Sequence, residues 1–249
     1  MRYKCHIAYD GSAYSGWQRQ PRVHTVQGAI EDALKAIYLE KVTIHGASRT
    51  DKGVHAIDQV FHYDTEKEIP LEKLIKVINR QLTDDIQLVN IEEVEGDFHS
   101  RYCCKGKEYQ YRIETSKEVN VFQWRYVYAY RKTPNVELMR QAALKFIGTH
   151  DFKAFMASGS DKEETRRTIY HIDFHYEDTQ LVMKVRGNGF LYNMVRIMVG
   201  VFLDISEGKY SEDMAFERFC VGDRKFFKRT APAQGLYLTK TFYSLEDSN

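Results

Sequence analysis

Residues 45–56 form a short polar segment between apolar, strand-like flanks, and within it Arg49, Thr50 and Asp51 are consecutive. Glycines bracket these three residues, and glycine tolerates a positive φ or a close backbone approach. A tight loop holds a carboxylate in one place, which is useful for chemistry, so Asp51 is a candidate catalytic residue. The structural alternative is an Asx-turn at Asp51, with Arg49 as its surface ion-pair partner.

A second candidate group is Arg196, which lies in the middle of the apolar stretch 190–205. This stretch predicts a helix that is buried on nearly every face. Leaving a buried guanidinium unpaired would cost about 3–5 kcal/mol. Arg196 therefore either extends its head group to solvent or reaches a carboxylate, for which Asp51 and, on the same helix, Asp204 are the candidates.

Residues 106–115 predict a strand that carries Tyr109, Tyr111 and Ile113 on one face. Two tyrosines on one face of a sheet are commonly core residues. A tyrosine that opens towards a cleft has another use, because it can stack on a base or move a proton.

Basic residues recur beside aromatic ones along the chain, a combination that suits phosphates and unstacked bases. The alternative for all of them is an ordinary solvated face, since acidic residues reduce the formal net charge to +1. The candidate RNA contacts in this group are Arg19, Arg101, Lys107, Arg166, Lys225, Lys228 and Arg229.

The composition indicates a globular protein, because 43% of the 249 residues are hydrophobic. The four cysteines have no zinc-like spacing and are interpreted as reduced thiols of a cytoplasmic protein. We expect no membrane span, since the longest apolar stretch is too short and contains an arginine. Phosphate-loop, dinucleotide, zinc-protease and serine-hydrolase motifs are all missing, so we expect neither a metal nor an organic cofactor.

The order of predicted elements indicates an α+β fold. Residues 2–94 follow a β-α-β-β-α-β order, with helices over 25–39 and from Pro70. Strands and helices after residue 105 roughly repeat this order, ending in a helix over 190–205 and a strand from Leu236. We therefore expect two similar β-α-β-β-α-β-like halves, residues 1–100 and 101–249, with mainly antiparallel sheets and helices on one side. Within the second half, residues 149–151 are interpreted as a turn.

Several segments together resemble the tRNA pseudouridine synthase A family, which acts on positions 38, 39 and 40 of the anticodon stem-loop of tRNA. The resemblance runs essentially from end to end, and the motif around Asp51 is very specific. The segments that carry it are Asp10-Gly11, Gly16-Trp17-Gln18, Thr25-Val26-Gln27, Arg49-Thr50-Asp51, Gly53-Val54-His55-Ala56, Phe98-His99, Tyr109, Tyr111, Gly148-Thr149-His150-Asp151-Phe152, Gly189-Phe190-Leu191, Met194-Val195-Arg196, Ala231-Pro232-Ala233 and Gly235-Leu236-Tyr237-Leu238.

The resemblance implies a pseudouridine synthase fold with a basic cleft between the halves, and a role for each matched residue. Asp51 would be the nucleophile, attacking either the uracil ring or the anomeric carbon of the ribose. Tyr109 would stack on the target uracil, and Arg196 would pair with Asp51. Arg49 would help hold the base out of the RNA stack, and Leu236 would pack close to it. The family also implies a homodimer that needs no cofactor.

Two positions depart from the family pattern, which usually has glycine before the arginine of the motif and often a small residue after the aspartate. Here those positions are Ser48 and Lys52. Lys52 adds a cation beside the nucleophile and is a further candidate RNA contact. The exact target uridine therefore stays open, and so does the alternative that the chain is a paralogue of the family that modifies a different position. Two other classes also stay open: a tRNA-binding module with an idle site, and an RNA glycosidase or nuclease.

Overall fold

The computed structural model describes residues 1–157, 159 and 164–244, which form two compact units. Unit 1 contains residues 1–105 and 237–244, and unit 2 contains the described part of residues 106–236. Both units mix strands with helices, which confirms the α+β class. The boundary between the units lies between Lys105 and Gly106, so the segment from 101 to 105 belongs to unit 1.

Unit 1 begins with the predicted β-α-β-β-α-β order. Its elements are β1 (Arg2–Tyr9), α1 (Val26–Tyr38), β2 (His45–Gly46), β3 (His55–Asp64), α2 (Leu71–Gln81) and β4 (Ile86–Val94). Both β3 and β4 pair with β1, and β2 pairs with β3, all in antiparallel register. Thr25 caps α1 by accepting a hydrogen bond from the N–H of Gly28. Pro70 is the N-cap of α2 rather than its first residue.

Unit 2 has more strands than the first unit's pattern predicts. Its elements are β5 (Gly106–Glu114), β6 (Tyr128–Ala129), α3 (Val136–Leu144), β7 (Gly148–Asp151), β8 (Arg166–Glu177), β9 (Gln180–Gly187), α4 (Met194–Ser206) and α5 (Glu212–Cys220). The pairs β5–β9, β8–β9 and β7–β8 are antiparallel, whereas β6 is parallel to β5. The turn predicted at residues 149–151 is wrong, because these residues pair with the start of β8.

Helix α4 starts later than the apolar pattern predicts. Asn193 has a left-handed backbone with φ of +60°, so residues 190–193 do not continue the helix. Arg196 is consequently in the first turn of α4 and not in its middle. All residues of α4 from Met194 to Ile205 are buried except Arg196, which confirms the prediction that this helix is enclosed on most sides.

The chain returns to unit 1 through its last strand, β10 (Leu236–Phe242). This strand runs parallel to β3, with Tyr237 opposite His55 and Leu238 opposite Ala56. A final strand from Leu236 is as predicted, but the sequence placed it in the second half.

Three histidines cluster beside β2. The rings of His45 and His99 lie 5.0 and 4.7 Å from the ring of His62, and the backbone N–H of Ser100 donates to Nδ1 of His62 at 3.2 Å. Burial, followed by the nearby His99, His45 and Arg2, lowers the pKa of His62 from its ordinary value near 6.5 to about 4, although Asp64 opposes the shift. His62 is therefore neutral in the folded protein at pH 7.

We expect acid to destabilise the protein through His62. Between pH 6.5 and 4 the unfolded chain binds a proton at this histidine that the folded protein does not, so stability is complete above 6.5 and falls as the pH drops. The expected loss is about 2 kcal/mol from pH 7 to pH 5, measured as the free energy of unfolding in urea at each pH. His62→Gln should reduce this loss. His24→Gln, at an exposed histidine outside the cluster, should not, and an equal effect of both variants would contradict the assignment.

Candidate active site

The loop between β2 and β3 is held at its N-terminal side by β3. At the start of the loop, the N–H of Ala47 donates a hydrogen bond of 2.7 Å to the carbonyl of Val60 in β3. The fully buried side chain of Gln59 then donates from Nε2 to the carbonyl of Ser48 at 2.8 Å. The backbone groups of two consecutive loop residues, Ala47 and Ser48, thus have the hydrogen-bond partners that buried polar groups require.

The centre of the loop lies against the segment that follows β1. The N–H of Trp17 donates to the carbonyl of Thr50 at 3.0 Å, and the hydroxyls of Tyr9 and Thr50 share a buried hydrogen bond of 2.7 Å. Gly16 has φ of +93°, and a Cβ atom there would lie 2.7 Å from the carbonyl oxygen of Thr50. The indole of Trp17 likewise covers Gly46, where a Cβ atom would lie 2.5 Å from Nε1. These close approaches explain why glycine is needed on both sides of the contact.

The tip of the loop carries the charged side chains. The carbonyl of Asp51 accepts a hydrogen bond from the N–H of Val54 at 3.1 Å, and Gly53 completes the turn with φ of +78°. The turn is thus closed by the main chain of Asp51. Asp51 itself is half-buried, whereas Arg49 and Lys52 are exposed. A backbone fixed on both sides therefore presents a carboxylate at a defined position, which is what a nucleophile or a general base requires.

In unit 2, Tyr109 and Tyr111 lie on one face of β5 and are both buried, as the alternation predicts. The ring of Tyr109 meets the ring of Phe190 edge-on, with centroids 5.1 Å apart. Tyr111 has a different environment, because its hydroxyl donates to the carbonyl of Pro232 at 2.7 Å and burial raises its pKa well above the ordinary value. Tyr111 is a core residue, and Tyr109 is the better candidate for chemistry.

The guanidinium of Arg196 is half-buried and is oriented by its own unit. Its Nε donates to the carbonyl of Ala231 at 2.7 Å, and its Nη1 donates to the side-chain oxygen of Asn193 at 2.6 Å. Asp204, one of its two candidate partners, is bound instead by Arg229 at 2.9 Å and by Lys209 at 2.8 Å. The pairing of Arg196 with Asp51 stays a prediction.

The predicted RNA contacts divide by their surroundings. Arg19 is exposed but donates to Glu31 at 2.8 Å and to Asp32 at 3.0 Å, so its charge is compensated within unit 1. Leu236, expected beside the target base, is 5% exposed. The exposed basic candidates are Lys52, Arg101, Arg166, Lys225 and Lys228, and Lys107 is half-exposed.

Sequence reasoning missed the residues that support the site. Gln59 and Tyr9 look like ordinary strand residues, and only a polar side chain on the buried face of each strand could have identified them. Asn193 is an isolated signal of a left-handed residue, which interrupts an otherwise helical pattern.

Neither a metal site nor a membrane span is found in the described ranges. No three histidine, cysteine, aspartate or glutamate side chains in residues 1–157, 159 and 164–244 are grouped so that they could hold a metal ion. No helix among the same residues is long and apolar enough to cross a membrane.

Replacing Gly16 should test the loop contact directly. We expect Gly16→Ala to lower the free energy of unfolding by about 1–3 kcal/mol, because alanine is strained at this φ and its Cβ would meet the carbonyl of Thr50. The matched control is Gly96→Ala, since a Cβ atom there meets nothing within 4 Å. Urea unfolding should separate the two variants, and equal stabilities would show that the loop does not depend on this contact.

Known proteins resemble this chain over nearly its whole length. The model of the family described as tRNA pseudouridine synthase matches residues 6–103 and 142–244. The tRNA pseudouridine synthase A of Geobacillus sp. strain WCH70 is 42% identical over 97% of this chain and 98% of that protein. The proteins of the same name from Bacillus subtilis strain 168 and Listeria innocua serovar 6a are also 42% identical, over 98% and 97% of this chain and 99% of each relative.

Solved structures give weaker similarities. The match to a chain of the archaeal box H/ACA sRNP Nop10-Cbf5 complex covers 81% of this chain and 43% of that chain, at a TM-score of 0.36 and 11% identity. The match to a chain of a Cbf5-Nop10-Gar1 complex covers 94% of this chain and 57% of that chain, at a TM-score of 0.38 and 12% identity. Scores this low carry no weight, but the sequence matches are extensive. The chain therefore belongs to the tRNA pseudouridine synthase family, and it is an isomerase that acts on tRNA.

Proposed function

We propose that this enzyme converts uridine to pseudouridine at positions 38, 39 and 40 of the anticodon stem-loop of tRNA, with Asp51 as the nucleophile. The observation that carries the proposal is the fixed loop around Asp51, in which hydrogen bonds hold the backbone on both sides of a half-buried carboxylate. Holding a nucleophile near its attack geometry removes much of the entropic barrier to reaction. The resemblance of the loop to the family motif supports the same role and supplies the target positions.

The proposed reaction moves one bond. The glycosidic bond between uracil N1 and ribose C1′ breaks, and a bond between uracil C5 and the same C1′ forms. C5 loses a proton and N1 gains one, so there is no net oxidation or reduction. A covalent adduct of the Asp51 carboxylate, with either the uracil ring or C1′, would activate the substrate for this exchange.

Four further residues have proposed roles at the target nucleotide. Tyr109 is a buried aromatic residue braced by Phe190, which suits stacking on uracil and moving the C5 proton. Leu236 would pack on the base, and Arg49 would help hold the nucleotide outside the RNA stack. Arg196 would form the ion pair with Asp51.

The proposal extends to RNA contacts and location. The exposed residues Lys52, Arg101, Arg166, Lys225 and Lys228, with half-exposed Lys107, would bind tRNA phosphates. All four cysteines are free thiols, which fits the cytoplasm as the proposed location.

Asp51→Asn should abolish turnover and leave tRNA binding intact. Tritium at uracil C5 of a tRNA transcript must be released to water when pseudouridine forms, so the released label measures the reaction. We expect label release to fall by at least 1,000-fold, because the amide is a poor nucleophile, while the Kd for tRNA changes by less than threefold. Transcripts that keep uridine at only one of positions 38, 39 and 40 should each release label, which would establish the target.

The matched control is Asp178→Asn, since Asp178 is exposed in a turn with a left-handed φ of +53° that asparagine also tolerates. This variant should retain full turnover. Full turnover by Asp51→Asn would contradict the role of Asp51, and a wild-type protein that binds tRNA without releasing label would support the binding-module alternative.

We also propose a homodimer that is formed through an exposed apolar patch in unit 2. The patch comprises Val121, Phe122, Trp124 and Tyr126, which are 70%, 84%, 55% and 37% exposed. Soluble monomers rarely expose so many large apolar residues together. Two such patches facing each other would remove on the order of 1,000 Å² from water, close to the lower limit for a specific interface.

Removing the two largest exposed rings should separate the dimer. We expect Phe122→Ser/Trp124→Ser to raise the dimer Kd by at least 100-fold, because buried aromatic anchors dominate interface energies. Light scattering after size-exclusion chromatography should show twice the 29.2 kDa chain mass for the wild type and the chain mass for the variant. Val221→Ser removes an exposed apolar residue from the C-cap of α5 and not from the patch, and this variant should remain dimeric. A monomeric wild type, or a dimeric double variant, would rule out this interface.

A further inference from the structure

Arg229 was predicted as an RNA contact, yet its side chain is largely enclosed by unit 2. Only 22% of it is exposed, and its Nε lies 2.9 Å from the carboxylate of Asp204. Its Nη2 donates to both oxygens of Glu207, at 3.0 and 3.1 Å. These acids are 8% and 16% exposed, so the guanidinium is bound by two carboxylates in a partly desolvated position, where paired charges interact strongly.

The two carboxylates are themselves fully engaged. Tyr130 donates its hydroxyl to Glu207 at 2.5 Å, and Lys209 lies 2.8 Å from Asp204 and 3.1 Å from Glu207. Burial would raise the pKa of Glu207, but hydrogen bonds from Tyr130, Arg229 and Lys209 lower it to about 2. The acid is therefore charged at neutral pH, and the ion pair with Arg229 is complete.

The backbone beyond Arg229 follows one stripe of α4. Residues four apart on a helix lie on the same face, and Asp204, Gly200 and Arg196 are spaced in this way. Asp204 binds the side chain of Arg229, and Gly200 faces its backbone so closely that a Cβ atom would lie 2.4 Å from the carbonyl oxygen. At Arg196, the N–H of Ala231 donates to the backbone carbonyl of Arg196 at 3.0 Å, and the carbonyl of Ala231 accepts a hydrogen bond from Nε of Arg196 at 2.7 Å.

The same segment continues to the residue proposed to contact the base. The carbonyl of Pro232 accepts the hydroxyl of Tyr111, and a Cβ atom at Gly235 would lie 2.8 Å from the ring of Tyr111. Leu236 follows directly. Residues 229–236, here called the anchored segment, are thus fixed at successive points between α4 and β5.

We propose that Arg229 is a positioning residue: its ion pairs with Asp204 and Glu207 hold the anchored segment on α4, and the segment orients the guanidinium of Arg196 and places Leu236. This inference rests on the proposed roles of Arg196 and Leu236. It removes Arg229 from the RNA contacts, although its exposed neighbours Lys225 and Lys228 remain among them.

Kinetics should distinguish positioning from RNA contact. Arg229→Met should lower kcat at least 30-fold, with less than a threefold change in the Kd for tRNA and an unchanged salt dependence of binding. Arg229→Lys keeps one charge but not the paired contact with Glu207, so it should recover part of kcat. Lys228→Met, at an exposed neighbour, should instead raise the Kd and reduce the slope of log K against log salt by about 1.

Two further variants address folding and specificity. Gly200→Ala displaces the backbone of Arg229 without touching any charge, and it should reproduce the loss of kcat. Lys132→Met removes an exposed cation that lies 3.3 Å from Glu207, and it should leave kcat within twofold. Arg229→Met with normal kcat and a raised Kd would overturn the proposal in favour of RNA contact.

Amide hydrogen exchange separates this inference from the proposed function. The amide of Ala231 should exchange at least tenfold faster in Arg229→Met than in wild type, whereas amides of β1 should be unchanged. If the wild type releases no label but Ala231 is deprotected as expected, the proposed function fails and the anchoring stands. An unchanged exchange rate at Ala231 would refute the anchoring, whatever the activity.

Discussion

The candidate active site depends on one close contact between backbones, that of residue 16 with residues 50–52. The loop that carries Asp51 has no regular secondary structure, so its buried N–H and carbonyl groups need partners from elsewhere in unit 1. Trp17, Gln59 and Val60 provide them. Because the approach leaves no room for a side chain at residue 16, main-chain geometry sets the point at which the side chain of Asp51 leaves the loop.

Unit 2 holds its irregular functional segment in a different way. The anchored segment has few sheet partners, and it relies on a partly buried guanidinium at its start, a glycine on the facing helix and a tyrosine hydroxyl further along. Such charge pairs are expensive to desolvate and therefore tolerate little change in geometry. The two units thus fix their functional residues by different physical means, one by backbone packing and the other by ion pairs.

Local patterns in the sequence predicted much of this architecture. The capping of α1 by Thr25, the burial of α4 and the shared face of Tyr109 and Tyr111 all follow from short-range periodicity. The prediction that α4 starts at residue 190 was wrong, because the left-handed backbone of Asn193 interrupts a strong apolar pattern. The side-chain partners of Arg229 and the return of β10 to unit 1 were not predictable, since both depend on residues that are distant in sequence or on tertiary packing.

The return of β10 constrains the order in which the chain matures. During synthesis the ribosome delivers nearly all of unit 1 first, then the whole of unit 2, and only afterwards the strand that pairs with β3. Nascent domains generally fold as units as they emerge, but here the first unit is completed by a strand that is synthesised after residues 106–235. A truncated chain would therefore leave the edge of β3 beside His55 and Ala56 unpaired, a natural binding site for chaperones that recognise open sheet edges.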